Sequence, residues 1–203
     1  NSLAGPSGGA GVITSTGNGG SLTGLITLNS NADFRGAGGN TLTFSGGINS
    51  SANETLSLNM TAVVDTNPID LNNGSFTITS NGNNIANGTQ LNVGGNDWSL
   101  TRINFGGYLL LGGNDFIPTD SALEFGWSNA GQSSGTLDLN GNDQEVASLS
   151  VTPFFSGVGG DAKITDSTGT GSTLTVNQSS TTEYQGRFEG GVELVKSGTG
   201  TLV

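Results

Sequence analysis

The sequence contains no cysteine and no histidine, and only 10% of its 203 residues carry a charge. The first two absences remove whole classes of chemistry. Without a thiol or an imidazole there can be no Ser-His-Asp triad, no Cys-His dyad and no thiolate or imidazole metal centre. No Gly-Lys-Ser/Thr phosphate loop occurs either. The longest apolar run, Tyr108 to Leu111, is far too short to cross a bilayer. Lysine and arginine number five (Arg35, Arg102, Lys163, Arg187 and Lys196) against 16 acids, for a net charge of -11. Five scattered cations form no basic patch, so neither nucleic acid nor insertion into an anionic membrane is expected. The acidity suits solubility. A chain without cysteine has nothing to crosslink while crossing an envelope unfolded, which is consistent with export. The sequence opens at Asn1 without Met or a visible signal peptide, as a piece of a longer precursor would.

What is present is Gly, Asn, Ser and Thr, about half of the chain, punctuated by short alternating apolar bursts. The polar mix alone would suit disorder. The alternation argues against it, because period-two patterning marks strands with one buried face. Such bursts include Thr41–Phe44, Leu56–Met60, Phe76–Thr79, Leu91–Val93, Leu109–Leu111, Leu123–Phe125, Thr136–Leu139, Val146–Val151, Leu174–Val176 and Val192–Val195. Turn signals separate them, among them Gly46-Gly47, Asn72-Asn73-Gly74, Asn81-Gly82-Asn83 and Asn140-Gly141-Asn142-Asp143. No stretch has the composition of a helix.

Strand starts recur every 12 to 18 residues or so, as in many-stranded folds. Leu109, Leu123 and Leu137 lie 14 apart, as do Leu42 and Leu56. A self-similar unit runs through the chain: a glycine, one or two small polar residues, then an apolar-polar-apolar triplet. It appears at Gly39–Phe44, Gly74–Ile78, Gly135–Leu139 and Gly171–Val176. Repetition with loose spacing predicts an all-β parallel β-helix, in which each coil packs only on its neighbours. Leu, Ile, Val and Phe would fill a shared interior, Thr, Ser and Asn would face water, and Asn and Gly would turn the corners. The alternative with the same pattern is an antiparallel β-sandwich. Residues 1–30 read as a Gly/Ser-rich lead with one strand, Ser21 to Leu28, able to cap the fold or augment a partner's sheet. Residues 31–203 read as one continuous solenoid.

The stretch Gly190-Gly191-Val192-Glu193-Leu194-Val195-Lys196-Ser197-Gly198-Thr199-Gly200-Thr201-Leu202-Val203 resembles the autotransporter-associated β-strand repeats of bacterial surface proteins, in which a leucine and lysine precede a Gly-x-Gly-Thr-Leu strand. Gly135 to Val151, Tyr108 to Glu124 and Ser172 to Phe188 are similar to other parts of that repeat. The last hundred residues carry the resemblance; residues 31–107 share only its style. It implies a right-handed parallel β-helix within a long exported protein, located at the cell surface or outside the cell, where the repeat itself serves as scaffold in adhesion or matrix.

Carboxylate chemistry is the one catalytic class left open, since paired acids held about 5 to 10 Å apart across a groove can cleave glycosidic bonds. The densest acids are Asp138, Asp143 and Glu145, and Asp115, Asp120 and Glu124. The plainer reading places them on solvent-facing strands and turns. Gly-Asn-Asp recurs at Gly95–Asp97, Gly113–Asp115 and Gly141–Asp143, and Gly157–Asp161 stands alone as a glycine-rich acidic turn. Calcium would suit such oxygens; a solenoid corner suits them better, because Asn and Asp cap their own turns. Trp98, Trp127, Tyr108 and Tyr184 could stack on sugars, but packing in the core is favoured for them. Phe154-Phe155 after Pro153 breaks the alternation, as a plug or contact patch would. Six Asn-x-Ser/Thr sequons, at Asn49, Asn53, Asn59, Asn73, Asn87 and Asn177, are about what chance predicts for this composition.

The sequence therefore predicts a non-enzymatic structural module with no catalytic, metal or cofactor site. Self-association, other surface proteins and glycans are its expected partners. The alternatives are a subunit of an end-stacked or strand-adding extracellular filament, and a β-helix that binds or cleaves carbohydrate.

Overall fold

The structure is a computed structural model that describes residues 2–3, 11–15, 19–36, 40–79, 88–126, 135–152 and 162–203. Among them there is no α-helix, and every strand pairing is parallel. The parallel β-solenoid is thus the fold, and the antiparallel sandwich is not.

Each coil visits three faces in turn. The first face is a seven-stranded sheet: Gly11–Ser15, Ala32–Gly36, Thr55–Asn59, Ser75–Thr79, Leu100–Asn104, Ala122–Phe125 and Ser148–Val151. The second is an eight-stranded sheet: Gly20–Leu22, Thr41–Phe44, Thr61–Val64, Thr89–Leu91, Gly107–Leu111, Gly135–Asp138, Ala162–Thr165 and Arg187–Glu189. The third face is carried by two shorter sheets. Ser2–Leu3, Ile26–Leu28, Ile48–Ser50 and Ile69–Asp70 form one; Gln144–Val146, Ser172–Asn177 and Val192–Ser197 form the other. Within residues 1–30, Gly20–Leu22 and Ile26–Leu28 are separate strands, each paired in parallel with the coil that follows.

Register explains why this sequence folds this way. On the first face Phe34, Leu58, Ile78, Ile103, Phe125 and Val151 form one inward column, and Ala32, Leu56, Phe76, Thr101, Leu123 and Leu149 another. A slip of one residue would turn either column outward, so the buried apolar set fixes the pairing. Leu109 and Leu137 are direct partners on the second face, whereas Leu123 belongs to the first. The 14-residue spacing is therefore a step between faces, and two steps make one coil here. The self-similar unit likewise falls on all three faces: Thr41–Phe44 and Gly135–Asp138 on the second, Ser75–Thr79 on the first and Ser172–Asn177 on the third.

Polar side chains carry the third face where its strands lapse. Asp70 and Asp97 make an isolated parallel bridge. Beside it, Asn96 accepts the Ile69 N–H at 2.9 Å and donates to the carbonyls of Val93 and Phe116, both at 2.8 Å. Gln144, buried, accepts the Ile117 N–H at 3.0 Å and donates to the Ile117 carbonyl at 2.9 Å. An amide side chain presents the same donor and acceptor as a peptide group, so it can continue a ladder that the backbone leaves.

Candidate functional site

The residues singled out as chemistry are mostly structural. Asp138 lies in a strand buried on both faces; its Oδ2 accepts the Tyr108 hydroxyl, and its Oδ1 accepts the amides of Asn140 and Ser167. The expectation of a solvent-facing Asp138 is overturned: register sets it on the outer side of the second face, yet that side is covered. The Tyr108 hydroxyl is pushed above its usual ionisation range, by burial first and by its hydrogen bond to Asp138 second.

The Gly-Asn-Asp triplets are clips between coils. Asp115 Oδ1 accepts the Glu145 N–H at 2.8 Å, Asn114 Oδ1 accepts the Asp143 N–H at 2.9 Å, and Asp143 Oδ1 accepts the Thr173 N–H at 2.7 Å. Asn142 donates to the carbonyls of Leu111, Leu139 and Asn140. One oxygen each of Asn114, Asp115 and Asp143 is thus engaged by a backbone N–H of a neighbouring coil. Glu145 accepts from Asn177, and Glu124 pairs with Arg102 at 3.0 Å and accepts the Thr152 hydroxyl. Asp120 is exposed. Among the described residues no three acids gather where they could hold a metal ion.

Trp98 and Tyr184 pack in the core, as the plainer reading had it, whereas Tyr108 is buried on the outer side of the second face beside Asp138. Trp98 is 1% exposed, sits on Phe76 with ring centroids 4.7 Å apart, and donates its indole N–H to Thr101 at 2.7 Å. Tyr108 and Tyr184 are buried, the latter between Phe125 and Phe188. Trp127, Asn81-Gly82-Asn83, Asn87, Pro153-Phe154-Phe155 and Gly157–Asp161 lie outside the described residues.

One concave feature of the surface was not legible in the sequence. Outward side chains of four successive strands of the first face line a groove of about 660 Å³. Its wall holds Asp33 and Arg35 on the first of these strands, Ser57 and Asn59 on the second, Thr77 and Thr79 on the third, and Arg102 on the fourth, with Phe105 just beyond. Arg35 places both Nε and Nη2 on one oxygen of Asp33, at 2.7 and 2.6 Å, leaving Asp33 Oδ1 without a partner. The hydrogen bond that Arg35 donates to Asp33, and then the charge of Asp33, raise the pKa of the exposed Arg35 guanidinium above its usual value. The pattern that could have found the groove is the alternation itself: Asp33, Ser57, Thr77 and Arg102 are aligned only once the register is known.

Phe105 lines the far end of this groove, and Asn104, which precedes it, is buried beneath the surface there. Register runs Arg35, Asn59, then Thr79 to Asn104. Phe105 has φ of 51°, a left-handed conformation that a bulky side chain seldom adopts, and Gly106 follows at 78°. Asn104 is fully buried, and neither its Oδ1 nor its Nδ2 has a hydrogen-bond partner.

The chain matches no family model, no curated protein and no solved structure in the comparisons made. The class of protein therefore rests on the coordinates: a parallel β-solenoid whose coils are clipped together by Asn, Gln and Asp side chains.

Proposed function

We propose that this chain is a non-enzymatic structural module: a stiff β-solenoid rod, exposed on a bacterial surface or secreted, of the autotransporter-associated β-strand repeat kind. The observation that carries this reading is the fate of the polar side chains. Asn96, Gln144, Asp115, Asp143 and Asp138, which could have been chemistry, bind the backbone of neighbouring coils. Each such bond fixes one coil against the next, and in a quasi-one-dimensional fold stiffness is set by those nearest-neighbour contacts. Net charge of -11 favours a module that keeps clear of nucleic acid and of anionic membranes. The Gly190–Val203 stretch supports the repeat family; its Val192–Ser197 strand pairs with Ser172–Asn177 over six residues.

Small-angle scattering of the purified chain, together with an assay of reducing-sugar release from common polysaccharides, tests the module. A rod-shaped particle without release is the expected result, and release above background ends the non-enzymatic reading. Electron micrographs of the same sample separate a single rod from an end-stacked filament. An antibody raised against the chain should stain intact cells of the source organism or its medium; a purely cytosolic signal would rule out the surface location.

A further inference from the structure

We propose that the groove on the outer face of the seven-stranded sheet is a binding site for a linear, uncharged oligosaccharide, with the Phe105 turn as its aromatic end. The floor of the groove is a sheet face, so its backbone groups are already paired and only side chains meet a ligand. Those side chains are the kind that bind hydroxyls. Ser57, Asn59 and Thr79 form no side-chain hydrogen bond among the described residues. Asp33 Oδ1 is a buried acceptor without a partner, and Arg35, 58% exposed, keeps donors free beside it.

The ligand class follows from what the groove has and lacks. A peptide laid here would find no sheet edge to extend and few apolar anchors, since Ala32 and Phe105 are the apolar residues of the lining. A polyanion would meet arginines already neutralised, Arg35 by Asp33 and Arg102 by Glu124, on a chain of strongly negative charge. A neutral sugar chain needs neither apolar anchors nor net charge. It needs a row of polar groups and a ring to lie against. The column Arg35, Asn59, Thr79 and Asn104 spans three strand spacings, roughly 14 Å, the scale of a short oligosaccharide.

Two costly features meet at one end of that column, and they carry the proposal beyond composition. Phe105 holds a left-handed backbone where glycine or asparagine would be at ease. The adjacent Asn104 is buried with its whole amide unpartnered, an arrangement that stays unfavourable until a partner arrives. Strain of this kind, kept at the lip of a groove, is what binding sites store. The half-exposed Phe105 ring gives a sugar an apolar face to lie against at this end of the groove.

Isothermal titration calorimetry of the purified chain tests the site, with neutral hexasaccharides of glucan, chitin and mannan type as probes and hexagalacturonate as the anionic comparison. Two variants accompany it. Phe105→Gly removes the ring and keeps the positive φ without strain, and Asn59→Ala removes one hydrogen-bonding group from the middle of the groove. At least one neutral hexasaccharide should bind at about 1 mM or below, and Phe105→Gly should weaken it about tenfold or more while the circular dichroism stays unchanged. Should that variant fail to fold, the same loss in Asn59→Ala decides the matter. Absence of binding by every neutral probe, binding of hexagalacturonate alone, or affinity unmoved in a folded variant overturns the proposal.

Discussion

Asp138 and Asp166, on successive coils, each hold the other's turn: Asp138 Oδ1 accepts the Ser167 N–H at 3.0 Å, and Asp166 Oδ1 accepts the Gly141 N–H at 2.9 Å. The two carboxylates act as crossed clips between the turns that follow Gly135–Asp138 and Ala162–Thr165. Asp166 also accepts the amide and hydroxyl of Thr168 and, through Oδ2, the Gly171 N–H. Burial works against its ionisation, but these hydrogen bonds outweigh it and hold its pKa below the ordinary carboxylate value. A depressed folded pKa gives stability that is present above the unfolded value of about 3.9 and is lost as pH falls through the folded one. Urea unfolding followed from neutral pH downwards should therefore show a falling midpoint below about pH 4. Asp166→Asn should be less stable at neutral pH and show a shallower acid limb. An acid limb identical to that of the parent chain would mean that other groups carry the loss.

At alkaline pH the two tyrosines should titrate late. The chain has only Tyr108 and Tyr184, so tyrosinate absorbance reports on both and nothing else. Each is raised above the usual tyrosine range, chiefly by burial; the hydrogen bond to Asp138 adds to the effect at Tyr108, and the charge of Arg187 opposes it at Tyr184. A raised folded pKa means that the stability is whole below the unfolded value of about 10 and lost as pH rises beyond it. Ionisation should then coincide with loss of the β-sheet circular dichroism. A full tyrosine equivalent titrating near its free value with the fold intact would contradict the buried placement.

How much of this was readable beforehand depends on the range of the interaction. The strand Thr41–Phe44 announces itself by local alternation, and so does the inward pair Leu56 and Leu58. The corner role of Asn114 and Asp115 was legible too, because glycine-flanked Asn and Asp favour turns. The partner of Leu109 was not, since Leu123 has the nearer spacing and Leu137 the true pairing. Asp138 reads as the polar member of a half-exposed strand, and only the covering of its outer side makes it a buried clip. The groove was hidden for the same reason: Asp33 and Arg102 lie 69 positions apart in sequence and meet only through the register of three coil steps.

Gln144 should be more sensitive to replacement than any apolar residue of similar size on the third face. Gln144→Leu keeps the volume and leaves both the N–H and the carbonyl of Ile117 buried without their partner. Each orphaned group costs about 1–3 kcal/mol. Coils are coupled mainly to their neighbours, so the damage should be local. Hydrogen exchange should quicken at Ile117 and the strands around Gln144–Val146 and change little near Ile26–Leu28. Uniform acceleration along the chain would show that the solenoid opens as one unit instead.

Gly24 and Gly46 stack on successive coils, and the stack is one-sided. A methyl group at Gly46 would lie 2.3 Å from the backbone carbon of Gly24 and 2.4 Å from its oxygen, whereas one at Gly24 meets nothing within 4 Å. The Gly46 N–H is also bonded to the Leu22 carbonyl at 3.0 Å, so the corner cannot move outward without losing a rung contact. Gly46→Ala must therefore spread two coils, and overpacking of this kind costs about 1–3 kcal/mol. Gly24→Ala should leave the thermal midpoint nearly unchanged or raise it slightly by stiffening the unfolded chain. Thermal melts of the two variants side by side give the comparison. Equal losses at both positions would mean that the two corners do not nest as placed.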